Sequence, residues 1–288
     1  MAAASEIASL GSTESLRTLR IKPSGRVVKL DVRELWAYRE LLYFLVWRDV
    51  KVKYKQTFIG VAWAIIQPLA SMVIFSVIFG RLAGIDPGLG TPYPLFVFAG
   101  LLPWLYFSSS LSLSSSSLTG NSNLVTKVYF PRLVIPLASI VSPLIDFLMA
   151  FIVLIGLFAW YGRAPNWHAV AIPAFLFAAL LTALGVGLWL SCLNVRYRDV
   201  PYVIPFLTQL WLYATPVIYP VRIIPKDWQW LIALNPMTGV IEAFRWSVLG
   251  VGVPHYSIFF IGVGVGALLT ASGLWYFKRT ERHFADVI

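Results

Sequence analysis

The chain has 288 residues, 58% of them hydrophobic and 12% charged, with a mean hydropathy of +0.75 and a formal net charge of +10. Too little polar surface remains to cover a water-soluble globule, so composition excludes one and points to an integral membrane protein. The cationic excess sets topology in such a chain, and no nucleic-acid partner is expected.

Residues 1–30 are small, polar and Ser-rich, without the run of about 7–15 apolar residues that a cleavable secretory signal needs. They read as a disordered cytoplasmic tail. Residues 31–288 form the transmembrane domain. Near its start Leu35, Tyr38, Leu42 and Val46 recur at helical spacing, which predicts an amphipathic helix along the cytoplasmic interface. The helix ends in Arg48-Asp49-Val50-Lys51-Val52-Lys53-Tyr54-Lys55. Each cation there is worth about 1 kcal/mol against an anionic leaflet. Two readings stay open. One is simple anchoring; the other is a gate in which Arg48, Lys51, Lys53, Tyr54 and Lys55 receive an anionic lipid head such as a pyrophosphate. Arg48 suits bidentate contact and the lysines act as point charges.

Crossing about 30 Å of hydrocarbon takes roughly 20 apolar residues with every backbone group bonded inside a helix. Six stretches qualify: Gly60–Gly80, Tyr93–Leu118, Leu133–Trp160, Ala169–Val195, Val200–Val221 and Tyr256–Phe277. They contain no Asp, Glu, Lys or Arg except Asp146. A carboxylate at the centre of a span is functional by default. A proton-coupled carrier needs several in relay, however, and no other span supplies one. A structural hydrogen bond to a serine or backbone group of a neighbouring helix is therefore the favoured role. Gln67-Pro68 marks a bend in the first span and a candidate lateral gate. The Ser-rich tract 108–117 lets helices approach closely.

The segment from Lys226 to Leu249 is apolar, but Asn235-Pro236 breaks it and it carries Glu242 and Arg245. It reads as two short helices at the outer surface, re-entrant or interfacial. With both termini inside, 18 of the 23 Lys and Arg residues fall on the cytoplasmic side, as the positive-inside rule requires. The expected fold is all-α: an interface helix, six transmembrane helices, and an outer helical hairpin between the fifth and sixth spans.

Several residues carry no metal or redox chemistry. Cys192 is the sole thiol, and His168, His255 and His283 lie far apart. The turn Arg196-Tyr197-Arg198-Asp199 closes the fourth span, as a docking contact or by charge retention alone. Aromatic rings offer stacking faces to sugars, and Trp104, Tyr106 and Phe107 in the second span with Trp211, Tyr213 and Tyr219 in the fifth are candidates for a glycan channel. Interface belts and lipid-facing filling produce the same residue types.

Between the second and third spans lies a polar, basic insert, Asn-Ser-Asn-Leu-Val-Thr-Lys-Val-Tyr-Phe-Pro-Arg, residues 121–132. A structured element there hands force or a signal to a soluble partner. This insert, the run RDVKVKYKQTFIGVAWAIIQP (Arg48–Pro68) and the closing FKRTERHFADVI (Phe277–Ile288) together resemble the membrane subunits of second-type ATP-binding-cassette exporters. Those permeases move lipid-linked polysaccharides such as O-antigen, teichoic acid and capsule. The resemblance covers most of residues 31–288.

The resemblance implies a homodimer in the cytoplasmic (inner) membrane, each copy docked on a separate nucleotide-binding ATPase. It makes the insert the coupling helix, with Asn121, Asn123, Lys127, Phe130, Pro131 and Arg132 as its docking residues. The implied substrate is a polyprenyl-pyrophosphate-linked, O-antigen-like polysaccharide. The chain itself needs no cofactor: it has no G-x-x-x-x-G-K-[ST] phosphate loop, so ATP and Mg belong to the partner, and the chain alone is no enzyme. The alternatives are a proton-coupled secondary carrier and an exporter of a drug or small lipid. A membrane glycosyl- or phosphotransferase wants paired carboxylates, which Asp86, Asp227 and Glu242 do not form.

Overall fold

The computed structural model describes residues 32–55, 60–88, 90–250 and 256–284. The expected tail over residues 1–30, His255 and the last four residues of the closing motif lie outside them. Every regular element among the described residues is helical. In chain order these are α1 (Val32–Ala37), α2 (Arg39–Lys55), α3 (Ala62–Phe75), α4 (Tyr93–Gly120), α5 (Ser122–Lys127) and α6 (Val134–Val141). There follow α7 (Leu144–Trp160), α8 (Ile172–Arg196), α9 (Val200–Ala214), α10 (Lys226–Ala233), α11 (Pro236–Leu249) and α12 (Tyr256–Thr280). A π-helical segment, Ser76–Leu82, continues α3.

Five stretches are long and apolar enough to cross a membrane: Ala62–Leu82, Tyr93–Gly120, Val134–Trp160, Trp167–Arg196 and Tyr256–Thr280. They match the predicted spans to within a few residues. The expected fifth span does not match. Only Val200–Ala214 is helical, 15 residues and about 22 Å at 1.5 Å per residue. Pro216 is the physical reason. Its ring disfavours helical backbone in the preceding residue, and Thr215 is extended, with φ −100° and ψ 139°.

α4 is the central helix, packed against α3, α6, α7, α8, α9 and α11. Its serine tract behaves as expected of small side chains. Ser115 and Ser117 donate to carbonyls of their own helix, Ser112 O and Ser114 O, both at 2.7 Å. They are thus buried without needing a partner on another helix. Asn194 of α8 donates to Ser115 O at 2.9 Å and Thr119 Oγ1 at 3.1 Å. α8 and α12 meet through glycines: a Cβ on Gly273 would lie 2.4 Å from Gly185 O, and one on Gly185 2.5 Å from Thr270 N. Only hydrogen fits there, so the backbones touch. Thr270 Oγ1 donates to Leu181 O at 2.6 Å across the same seam.

The pair α10 and α11 departs from a purely surface position. α10 leaves Trp228, Trp230 and Leu231 exposed, but α11 is enclosed by α4, α8 and α12 and buries most of its residues. The Asn235-Pro236 junction is as predicted. Asn235 Oδ1 caps α11 by accepting from Met237 N at 3.1 Å and also accepts from Trp211 Nε1 at 3.1 Å. Its Nδ2 donates to Thr215 Oγ1 at 2.8 Å.

Arg245 corrects the sequence reading most sharply. Expected at the outer surface, it is only 2% exposed. Nε donates to Phe96 O at 3.2 Å and Nη1 to Pro216 O at 2.6 Å, while Nη2 donates to Val217 O. Glu242 Oε1 accepts from Nη1 at 3.1 Å, and the guanidinium lies 3.8 Å from the Phe96 ring centre. The carbonyls after the Thr215-Pro216 break have left the helix ladder, and Arg245 supplies their donors. Gly100 makes the room, since a Cβ there would sit 2.2 Å from Nη2.

Two substitutions test this knot. Arg245→Leu strands those carbonyls inside the bundle and removes the cation beside Glu242, a loss of about 3–5 kcal/mol. Gly100→Ala pushes α4 off the guanidinium. Both should sharply reduce the monodisperse fraction after detergent extraction and lower the thermal midpoint; wild-type behaviour in either would deny Arg245 its organising role.

Candidate functional site

α2 carries the cationic cluster and packs on α6. Leu45 is buried, and Leu35, Tyr38, Leu42 and Val46 are half-buried against the core, so the predicted apolar face is the packed one. The other side is less polar than expected, because Trp36, Tyr43, Phe44 and Trp47 are exposed among the charges. The five predicted gate residues separate into two groups. Lys51 and Lys55 are exposed, Lys51 beside the Trp47 ring at 5.5 Å. Arg48 pairs with Asp49 at 2.7 Å. Lys53 Nζ meets Asp146 Oδ2 at 2.5 Å, and the Tyr54 hydroxyl donates to Asp146 Oδ1.

The partner of Asp146 was not foreseen. Its span is broken at Ser142-Pro143, between α6 and α7, so Asp146 falls in the first turn of α7 rather than deep within one long helix. Its ligands come from α2 and not from a serine or backbone group of a neighbouring span. Burial first, then the bond and charge of Asp146, push the Tyr54 phenol well above the ordinary tyrosine range. It stays protonated and able to donate throughout the physiological range.

Two cavities adjoin this cluster. One, about 480 Å³, is lined by Trp63, Gln67 and Pro68 of α3, by Leu102, Leu105 and Tyr106 of α4, and by Phe147 and Ala150 of α7. The other, about 690 Å³, is lined by Arg48 and Asp49, by hydroxyls of Ser109, Ser112, Ser116, Ser117, Ser139 and Ser142, and by Asn121. Lys53, Tyr54 and Asp146 line both.

The insert is a single short helix, α5, followed by extended chain at Val128. Asn121 Nδ2 donates to Ser117 O at 2.8 Å, which fastens the start of the insert to α4. Asn123 and Lys127 are exposed, as are Thr126, Val128 and Tyr129. Phe130 and Pro131 are buried, and Arg132 Nη1 donates to Glu281 O at 2.5 Å. The six candidate residues therefore divide into an exposed pair and four that hold the insert to the bundle. Glu281 also pairs with Lys278 at 2.9 Å, and Phe284 sits edge-on to Phe277 at 5.4 Å, both buried. Neither the C-terminal anchorage nor the exposed Tyr129 was legible in advance. The aromatic at the centre of a polar insert was the available signal.

The aromatic candidates are likewise split. Trp104, Tyr106 and Phe107 are buried; Phe107 and Trp104 lie edge-on to Trp211 at 5.0 and 6.4 Å. The Tyr106 hydroxyl donates to Ile140 O at 3.2 Å, and Tyr219 donates to Tyr213 O at 3.0 Å. Tyr213 is exposed on α9, on one face with Tyr202 and Phe206, which are 83% and 62% exposed. Their spacing of four and seven residues was the missed sign of a shared face. No group of three His, Cys, Asp or Glu able to hold a metal occurs among the described residues.

Residues 40–249, from α2 to the end of α11, match the sequence profile of the family described as ABC-2 type transporter. The chain belongs to the ABC-2 type transporter family. The matched region holds the cation cluster, the insert and the Arg245 knot. Over 260 residues the chain is 31% identical to the O-antigen export system permease protein RfbA of Myxococcus xanthus, covering 89% of this chain and 98% of that protein. The Klebsiella pneumoniae protein of the same name is 31% identical over 251 residues, 86% of this chain and 95% of the relative. The polysialic acid transport protein KpsM of Escherichia coli is 25% identical over 237 residues, 76% and 89% of the two chains. ABC-2 chains are the membrane components of transporters and work with a separate ATPase subunit.

The anchorage of the insert gives a structural prediction. Phe284→Ala removes a ring with no exposed surface, a loss of about 3–5 kcal/mol by analogy with other core sites. The region after Thr280 should become cleavable by protease in membrane vesicles, and a cleavage pattern like wild type would contradict the packing of Phe284 on Phe277.

Proposed function

We propose that the chain is the membrane subunit of an ATP-driven exporter that moves a polyprenyl-pyrophosphate-linked, O-antigen-like polysaccharide from the inner leaflet across the cytoplasmic membrane. The observation that carries this is near-complete coverage at 31% identity to O-antigen export permeases. Two copies form the passage, because one bundle encloses too little space for a polymer. Val200–Val221 completes six crossings as a short helix plus extended chain, and both termini face the cytoplasm. The exposed side of α5, with Asn123, Lys127 and Tyr129, seats on the ATPase, which binds ATP and Mg. Buried Phe130 and Pro131, with Arg132, pass its displacement into the bundle. Arg48, Lys53 and Tyr54 receive the pyrophosphate, and Tyr202, Phe206 and Tyr213 offer rings on which the apolar faces of sugars slide.

The rival of a proton-coupled carrier loses support from Asp146. Its carboxylate is paired with a lysine and with a phenol that stays protonated, and not with a second carboxylate.

Purification of the chain from its native membrane in mild detergent should bring down a phosphate-loop ATPase in stoichiometric amount, together with lipid-linked glycan. A chain that purifies alone and responds to a proton gradient would remove the proposal. Lys127→Glu should leave the complex's basal ATPase activity but abolish its coupling to glycan export; normal coupling would take α5 out of the docking face. Pro68 lacks the N–H that a helix interior uses, so Pro68→Ala should stiffen the first span and slow export with unchanged dimer yield. Export at the wild-type rate would leave Pro68 no part in gating.

A further inference from the structure

We propose that Lys53, Tyr54 and Asp146 are a phosphate-operated latch in the wall between the two cavities, opened when a pyrophosphate or phosphate group takes Lys53 and Tyr54 from Asp146. The inference rests on the phosphate-bearing lipid substrate proposed above and adds how that group is sensed.

Lys53, Tyr54, Ser109, Pro143 and Asp146 line both cavities, and Lys53 and Tyr54 reach Asp146 by side-chain bonds. Lys53 and Tyr54 come from the last turn of α2, and Asp146 comes from the first turn of α7. Lys53 meets Asp146 in a charge pair and Tyr54 meets it through its hydroxyl. The Lys53 and Asp146 side chains are 49% and 22% exposed, so water already competes for the pair and it holds weakly. A latch of this strength can exchange partners without unfolding either helix.

The chemistry on the two sides differs. The larger cavity is bounded by Arg48 and Asp49 and lined by serines; Ser116, Ser117 and Ser139 donate within their own helices, and their oxygens can still accept from sugar hydroxyls. The smaller is lined mainly by apolar and aromatic side chains, with Gln67 and Pro68 of the first span. A phosphate oxygen resembles the Asp146 carboxylate as an acceptor but comes with more charge and with a second oxygen that can take the Arg48 fork from Asp49, whose Oδ1 accepts from Nε and Nη2. It therefore competes directly with Asp146 for Lys53 Nζ and the Tyr54 hydroxyl. Once Asp146 is released, the partition is gone and the hydroxyl-lined and apolar spaces join. Tyr54 is well chosen for the exchange because it stays a donor whichever acceptor it faces.

The test uses the intact complex with its ATPase in nanodiscs, with geranylgeranyl pyrophosphate as the probe. Asp146→Asn removes the competitor, so the probe should bind about fivefold more tightly, the scale of a partly solvated ion pair. Lys53→Met should weaken binding. The double variant Lys53→Asp with Asp146→Lys keeps a pair to hold the helices but points the wrong charge at the ligand; it should fold and bind poorly. In an Ala64→Cys variant, whose thiol lines the smaller cavity, labelling by a membrane-impermeant maleimide should accelerate when the probe is added.

Asp146→Asn binding no tighter than wild type, or a labelling rate indifferent to the probe, overturns the latch while leaving the exporter proposal standing. A wild-type complex that binds neither the probe nor inorganic pyrophosphate overturns both. Acceleration by phosphatidylglycerol nanodiscs alone, to the level reached with the probe, would make bulk anionic lipid the trigger and remove substrate sensing. Acceleration by inorganic pyrophosphate at a weaker affinity than the prenyl compound supports the phosphate as the operating group and the lipid chain as an additional anchor.

Discussion

A guanidinium placed inside a helical bundle is expensive unless nearly every donor finds an acceptor. Arg245 meets that condition by reaching two segments that lie far off in sequence, Phe96 in α4 and Pro216 and Val217 after α9, and Glu242 one turn away on its own helix. The arrangement is mutual. The chain after Thr215 cannot continue as a helix before Pro216, so its carbonyls need donors from elsewhere. Arg245 cannot be buried without such carbonyls. Gly100 is the third condition, since any side chain there would occupy the guanidinium's place. Because α11 brings Arg245 to this point, α11 has to be central, and the end of α9 is held with it through Asn235, Thr215 and Trp211.

Around that knot the bundle is divided into a rigid part and a loosely held part. α8 and α12 touch at backbone distance through Gly185 and Gly273, α11 meets α12 in the same way at Gly239, and Ser115 and Ser117 of α4 donate within their own helix. Close packing of this kind transmits displacement with little deformation. α2, α3 and α9 present most of their surface outward, and α2 bonds to α7 through Lys53, Tyr54 and Asp146. A change at the insert enters the rigid part directly, through buried Phe130 and through Arg132 bound to Glu281 at the foot of α12.

The sequence made the long spans legible because uncharged stretches of that length have few other homes, and the Asn235-Pro236 junction because Asn caps and Pro starts a helix. The breaks at Ser142-Pro143 and Thr215-Pro216 were present as X-Pro pairs but were outweighed by continuous hydrophobicity. Partnerships were not legible at all. Asp146 and Lys53 are 93 residues apart, and Arg245 and Phe96 are 149 apart; no local pattern encodes such a pairing. The insert shows the same limit at short range. Its docking candidates do not share one surface: a six-residue helix followed by extended chain turns Phe130 and Pro131 inward and leaves Lys127 outside.

Two ion pairs inside one membrane domain can thus have opposite purposes, and burial tells them apart. Arg245 is enclosed and bound to several carbonyls besides Glu242, so exchanging one partner would strand the others, and the pair is permanent. Lys53 and Asp146 are partly wetted, joined by flexible side chains, and flanked by cavities on both sides. Breaking that pair exposes each group to water or to another ion at little cost. The same two charge types therefore fix the frame at α11 and leave a releasable contact at α2, and the difference lies in how far each pair is withdrawn from water.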